Sequence, residues 1–190
     1  MSFSITDLPG LMIYEPKVFG DSRGYFFESY NAQAFARQGI AINFVQDNQS
    51  HSSYGVIRGL HYQLNPHAQT KLVRVLAGRI IDVAVDLRKG SRTFGRHFSI
   101  ELSAENKKQL LIPQGFAHGF SVLSETADIA YKCDAFYSKE SEAGIKFDDA
   151  DLGIDWQVPP ARAIVSEKDL VLPGLKDCKT NFVFSDGAAV

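Results

Sequence analysis

His61 in VIRGLHYQ (56–63), Lys71 in KLVRVLAG (71–78), His118 in AHGFSVLS (117–124) and Tyr131 in ADIAYKCDAFY (127–137) each sit inside a run that otherwise reads as a β-strand. Imidazole, ammonium and phenol groups lodged among apolar residues need hydrogen bonds, water or a ligand. Left unpaired in a core, each costs roughly 1–3 kcal/mol, and a charge costs more. His61 therefore admits three readings: a packed core histidine, a metal ligand, or a general base that titrates near neutral pH.

Side chains alternate across a strand, so parity sorts inward from outward positions. His61 shares parity with Ile57, Gly59 and Gln63, and Lys71 with Val73 and Val75. His118 goes with Phe120 and Val122, and Tyr131 with Ile129 and Cys133. On this reading all of these polar groups converge on one cavity. Arg58 has the opposite parity to His61 and is expected to point away from it, unless Gly59 marks a bulge.

The elements that must hold these groups are legible from residue 55 to residue 137. KLVRVLAG, RIIDVAVDLRKG, RHFSIELSA, QLLIPQG, AHGFSVLS and ADIAYKCDAFY are short apolar runs punctuated by Gly, Pro, Asn and Ser. That spacing predicts a mainly β chain, a sandwich or barrel of antiparallel strands, with a few short helices. Leu76-Ala77-Gly78-Arg79 reads as a tight hairpin, because glycine supplies the positive φ such turns require. NAQAFARQG, from Asn31, predicts a short helix capped by Asn and stopped by Gly39. A second helical turn is expected after Ser103. SEKDLVL (166–172) has a capping-box-like start, Pro159-Pro160 marks a loop, and SDGAAV (185–190) reads as a flexible tail.

At 190 residues, residues 1–190 are expected to form one domain. With 45% hydrophobic and 22% charged residues the chain has an ordinary globular balance, and its net charge of -2 gives no footprint for nucleic acid or an anionic membrane surface. The start MSFSITDLPG lacks the pattern of a signal peptide and no apolar run approaches a membrane span, which predicts a cytoplasmic protein. Cys133 and Cys178 have no metal-type or redox-type spacing and read as free thiols.

PQGFAHGF (113–120) is similar to the second sequence motif of the cupin superfamily, whose histidine is a metal ligand in the metal-binding members. Their first motif carries a closely spaced histidine pair and a glutamate. Here the equivalent GLHYQLNPHAQTKL (59–72) places His61 and His67 six residues apart and has no acidic residue nearby. Lys71, on the same inward face, also competes electrostatically with a divalent cation. The metal reading weakens accordingly.

The segments EPKVFGDSRGYFFESYN, FVQDNQS, RGLHYQ, KLVRV, DVAVDLRKGS, LSAENKKQLLIPQGFAHGF and SEKD span most of residues 11–172. Together they resemble the dTDP-4-dehydrorhamnose 3,5-epimerase family of deoxysugar nucleotide biosynthesis. The resemblance implies a cupin-type jelly roll, a homodimer with partly exchanged strands, a nucleotide-sugar substrate, and no cofactor or metal. It implies epimerisation at C3 and C5 of a 4-keto sugar, with His61 as proton acceptor, Tyr131 as the acid on the opposite face and Asp169 behind the imidazole. Lys71 is the candidate for stabilising the enolate oxygen, where charge develops in the transition state. Arg23 and Arg58 match the diphosphate contacts; Glu28, Gln46, Asp47, Asn48, Glu142 and Lys168 match further ligand contacts. Tyr137 matches the position that stacks on thymine, and His118 is placed to hydrogen-bond the sugar or phosphate. A related enzyme acting at one carbon, or a non-catalytic sugar-nucleotide binding module, stands as the alternative.

Overall fold

The apolar runs fold as antiparallel strands wrapped into two facing sheets. The structure is a computed structural model that describes residues 1–185. Strands β1 (Ser2–Ile5) and β2 (Met12–Glu15) precede a small hairpin of β3 (Phe19–Asp21) and β4 (Gly24–Phe26), and a short helix α1 (Ala32–Ala36). Then come β5 (Gln46–Ser53), β6 (Ile57–Gln63), β7 (Lys71–Ala77), β8 (Arg79–Asp86) and β9 (His97–Ser103). After β10 (Gln109–Ile112), β11 (Phe116–Val122), β12 (Thr126–Cys133) and β13 (Glu142–Gly144), the chain ends in an irregular segment carrying helix α2 (Glu167–Leu170). One sheet has the order β1-β2-β10-β7-β12-β5 and the other β13-β6-β11-β8-β9. This is the mainly β jelly roll expected from the sequence.

Residues from both sheets, among them Val73, Val75, Ile112 and Ile129 facing Ile80, Ala84, Phe120 and Val122, form the apolar core between them. A second cluster lies behind the five-stranded sheet, where Ile57, Leu60, Tyr62 and Val83 meet Ile145, Trp156 and Phe182 of the C-terminal segment. With cover on both faces, β11 is buried along its whole length and β8 from Ile80 onward. Their near-continuous apolar sequence follows from that double burial. Behind the other sheet, Phe35 of α1 packs on Tyr14, Leu72 and Leu111.

Three local expectations meet a different outcome. Leu76–Arg79 is a tight turn with Gly78 at φ 78°, but β7 and β8 belong to different sheets. It is thus a corner between layers, not a hairpin. A Cβ on Gly78 would lie 2.1 Å from the Thr126 carbonyl oxygen, so the glycine is there for close approach as well as for φ. The residues after Ser103 make a turn instead of a helix, because the Asn106 side chain accepts from the backbone amides of Ser103 and Lys108. Helix α1 is only one turn long, although Asn31 does cap it through the Ala34 amide at 3.1 Å. Of the predicted tail, residues 186–190 lie outside the described residues.

Candidate active site

Arg58, His61, Lys71, His118, Tyr131, Lys168 and Asp169 line one cleft of about 480 Å³. They come from β6, β7, β11, β12 and α2, so no single element carries the site. A larger hollow of about 1060 Å³ near Arg88 and Arg92 lies elsewhere and contains no histidine. His67 also lies outside the cleft lining, with Nδ1 2.9 Å from Ser141 Oγ. Among the described residues no group of three His, Cys, Asp or Glu side chains is arranged to hold a metal ion.

A bulge in β6 decides which side chains meet. Across the ladder His61 pairs with His118 and Arg58 with Phe120, so three steps along β6 match two along β11. The additional residue reverses the alternation between Arg58 and His61, and both face the cleft. For Arg58 the exception allowed in the parity reading, a bulge at Gly59, is the one that holds. It also removes Ile57 from His61's face, since Ile57 packs in the cluster behind the sheet. Gly59, at φ 115°, is where the strand deviates.

His61 Nε2 lies 2.7 Å from Asp169 Oδ1, and the carboxylate is almost wholly buried while the imidazole stays open to the cleft. Asp169 Oδ2 accepts from the Gly59 amide at 3.3 Å. Burial alone would raise the Asp169 pKa, but the hydrogen bond and charge of His61, the Gly59 amide and Ser166 together hold it below the ordinary aspartate range. An ionised carboxylate only accepts, so Nε2 carries the proton and Nδ1 keeps a free lone pair. The placement of Asp169 is local chemistry. Ser166 caps α2 by accepting from the Asp169 amide at 3.2 Å, which leaves the carboxylate free to reach across to β6.

Lys71 and Tyr131 come from the other sheet, while His118 stands beside His61 on the neighbouring strand β11. His118 Nε2 lies 2.8 Å from Asp82 Oδ1, and both side chains are buried. Burial pushes the Lys71 pKa down, against the raising influence of Cys133 and Asp82. Burial pushes the Tyr131 phenol up, so it holds its proton through neutral pH. The Lys71 ammonium lies 5.9 Å from the centre of the Tyr131 ring. A hydrogen-bonded imidazole, a protonated phenol and a lysine amine therefore open into the same space.

Residues 5–177 match the family of dTDP-4-dehydrorhamnose 3,5-epimerases. A relative of that name from Shigella flexneri is 54% identical over 166 residues, covering 87% of this chain and 91% of the relative. The chain belongs to the dTDP-4-dehydrorhamnose 3,5-epimerase family. The crystal structure of such an epimerase from Elizabethkingia anophelis matches with a TM-score of 0.88 at 57% identity, over 93% of this chain and 97% of that one. A dTDP-6-deoxy-D-glucose-3,5-epimerase from Legionella pneumophila, solved in complex with dTDP-4-keto-L-rhamnose, matches at 0.88 and 49% identity, over 92% and 93% of the two chains.

The remaining residues that the epimerase resemblance singled out divide into three places. At the mouth of the cleft Tyr137 donates to Glu142 Oε2 at 3.0 Å, and Lys168 bonds to the other oxygen, Oε1. The Lys168 hydrogen bond, chiefly, lowers the Glu142 pKa, and the same bond raises that of Lys168. Gln46 Oε1 accepts from the Tyr137 amide at 3.0 Å, and Gln46 Nε2 reaches Asn48 Oδ1. Asp47 alternates to the other face, where it pairs with Lys132 at 2.9 Å. Arg23 and Glu28 lie outside this cleft lining. Arg23 sits exposed at the tip of the β3–β4 hairpin against Asp21, and Glu28 accepts from Asn31. Asp82 is the site residue that sequence reasoning missed. Its signal was a carboxylate with the inward parity of Ile80 and Ala84 in RIIDVAVD.

Proposed function

We propose that this epimerase inverts C3 and C5 of dTDP-4-dehydro-6-deoxy-D-glucose to give dTDP-4-dehydro-L-rhamnose, in dTDP-L-rhamnose biosynthesis. The observation that carries the mechanism is the His61–Asp169 pair opening into the same cleft as Tyr131 and Lys71. His61 Nδ1 takes the proton from the carbon beside the ketone, and the C–H electron pair moves into an enolate. Asp169 stabilises the imidazolium that forms. The Lys71 ammonium faces the enolate oxygen, an interaction stronger in the transition state than in the substrate. Tyr131 returns a proton to the opposite face and recovers one from water, while His61 releases its own. Arg58 binds the diphosphate with its planar donors and Tyr137 stacks on thymine. His118, Gln46, Asn48, Glu142 and Lys168 contact the ligand around the cleft.

Turnover in heavy water tests this directly. Deuterium is expected at both C3 and C5 of the product, resolved by NMR. Label at a single carbon supports a one-centre epimerase, and no label with retained binding supports a binding module.

The active protein is a homodimer in which Arg23 and Glu28 complete the partner's cleft. In support, the β3–β4 hairpin leaves Phe19, Tyr25 and Phe26 each more than half exposed, an apolar surface suited to a second copy of the chain. Mixing two inactive variants measures this. Arg23→Ala and His61→Ala chains, unfolded together and refolded, are expected to regain up to about a quarter of wild-type activity, since each mixed dimer then holds one intact site. No recovery means that Arg23 serves its own chain. Two free thiols, one of them buried, support a place in the cytoplasm.

A further inference from the structure

Asp82 stands in the middle of β8 with no solvent exposure, and its two carboxylate oxygens have different surroundings. Oδ1 lies 2.8 Å from His118 Nε2. Oδ2 is buried and has no hydrogen-bond partner among the described residues. An ionised oxygen in that position is costly unless a cation answers it, by roughly 1–3 kcal/mol or more. Facing the same interior are Lys71 from β7, Tyr131 and Cys133 from β12, His118 from β11, and Arg58 and His61 from β6. Arg58 already bonds to Ser52 and His61 to Asp169. Lys71 makes no hydrogen bond to a described residue; burial pushes its pKa down, and the charges of Cys133 and Asp82 work against that loss.

We propose that Asp82 is a positioning residue for the epimerisation, anchoring His118 with Nε2 protonated and serving as the counter-charge that keeps Lys71 an ammonium. The inference rests on the epimerase reading for its catalytic consequence, but not for its two structural parts. Fixing the Nε2–H tautomer leaves His118 Nδ1 as an acceptor towards the cleft, suited to a sugar hydroxyl. Keeping Lys71 charged preserves the group on which enolate stabilisation depends. One buried carboxylate thus holds two neighbours in the states the reaction needs.

Asp82→Asn retains an oxygen for His118 and removes the charge. Its kcat is expected to fall about 10- to 100-fold with KM nearly unchanged, less than the roughly 10²–10³ lost when an oxyanion donor is deleted. The alkaline limb of the kcat profile should move to lower pH by about one unit, because an ammonium without its counter-charge loses its proton more readily. Two NMR measurements read the same assignment without turnover. In ¹³C-lysine-labelled protein the Lys71 Cε titration should move to lower pH in Asp82→Asn, and ¹⁵N-histidine spectra of the wild type should show His118 as the Nε2–H tautomer. An unchanged Lys71 titration, or His118 protonated at Nδ1 alone, overturns the proposal. Should Asp82→Asn not fold, the Lys71 titration in Asp82→Glu, which keeps the charge, is expected to match the wild type, and an acidward shift there counts against it. A wild-type chain without epimerase activity would sink the reading of function while leaving both NMR results decisive for Asp82.

Discussion

His61→Gln is expected to lower kcat by about 10³-fold, within the 10²- to 10⁴-fold range that a positioned general base supplies. The glutamine amide nitrogen takes the place of Nε2 and can still donate to Asp169 Oδ1, so the buried carboxylate keeps a partner and the fold is preserved. Alanine would strand that carboxylate and mix a stability loss into the result. KM should change by less than about threefold, because the diphosphate and thymine contacts come from other residues. The residual rate reflects Lys71, which still faces the oxygen on which charge develops. Solvent deuterium exchange into bound keto sugar should be lost together with turnover. Near-normal exchange by the variant would remove His61 from the role of base and shift attention to His118, the other imidazole in the cleft.

Gly59→Ala is expected to be the most damaging single-methyl change in the site, costing roughly 3 kcal/mol or more. At φ 115° an L side chain is strained, and an added Cβ would lie 2.7 Å from both Gly119 Cα and the His118 carbonyl oxygen. Neither neighbour can retreat cheaply, because β11 is hydrogen-bonded to β6 on one side and β8 on the other. For a chain of 190 residues such a loss lowers Tm by roughly 6–12 °C. Relief by straightening the bulge would carry Arg58 to the other face of β6 and remove the Gly59 amide from Asp169. Activity measured well below Tm should therefore fall as well. A variant with wild-type Tm and full activity would mean that the bulge is not what aligns Arg58 with His61.

Much of this site was readable along the chain. Lys71, His118 and Tyr131 share faces with Val73, Phe120 and Ile129, and all of those apolar partners lie in the core between the sheets. Asp169 was visible through the family resemblance as the imidazole's partner, in a segment whose capping-box-like start marked a helix; the structure joins the two, amide to Ser166 and carboxylate to His61. The side taken by Arg58 stayed open, because parity counting assumes an unbroken strand and Gly59 allowed a bulge. A bulge shifts the count by one, and only pairing with β11 reveals it. Asp82 went unnoticed because a single carboxylate in an apolar strand shows its purpose only when the neighbouring strand β11 supplies His118. The corner at Gly78 looked like a hairpin because turn chemistry is local, while the choice of sheet depends on which distant strands accept the two arms.

By itself the sequence determined the β class, the family, the inward parity of Lys71, His118 and Tyr131, and the caps at Asn31 and Ser166. Those are properties of residue type and near neighbours, where alternation and side-chain hydrogen bonding act over a few positions. The tertiary structure decided that Arg58 faces the cleft with His61, that Asp82 anchors His118 and that Asp47 turns away from Asn48. It also put Arg23 and Glu28 outside the cleft of their own chain. Each of these depends on strand register or on contacts between residues far apart in the chain, and register is set by the whole pattern of burial across two sheets.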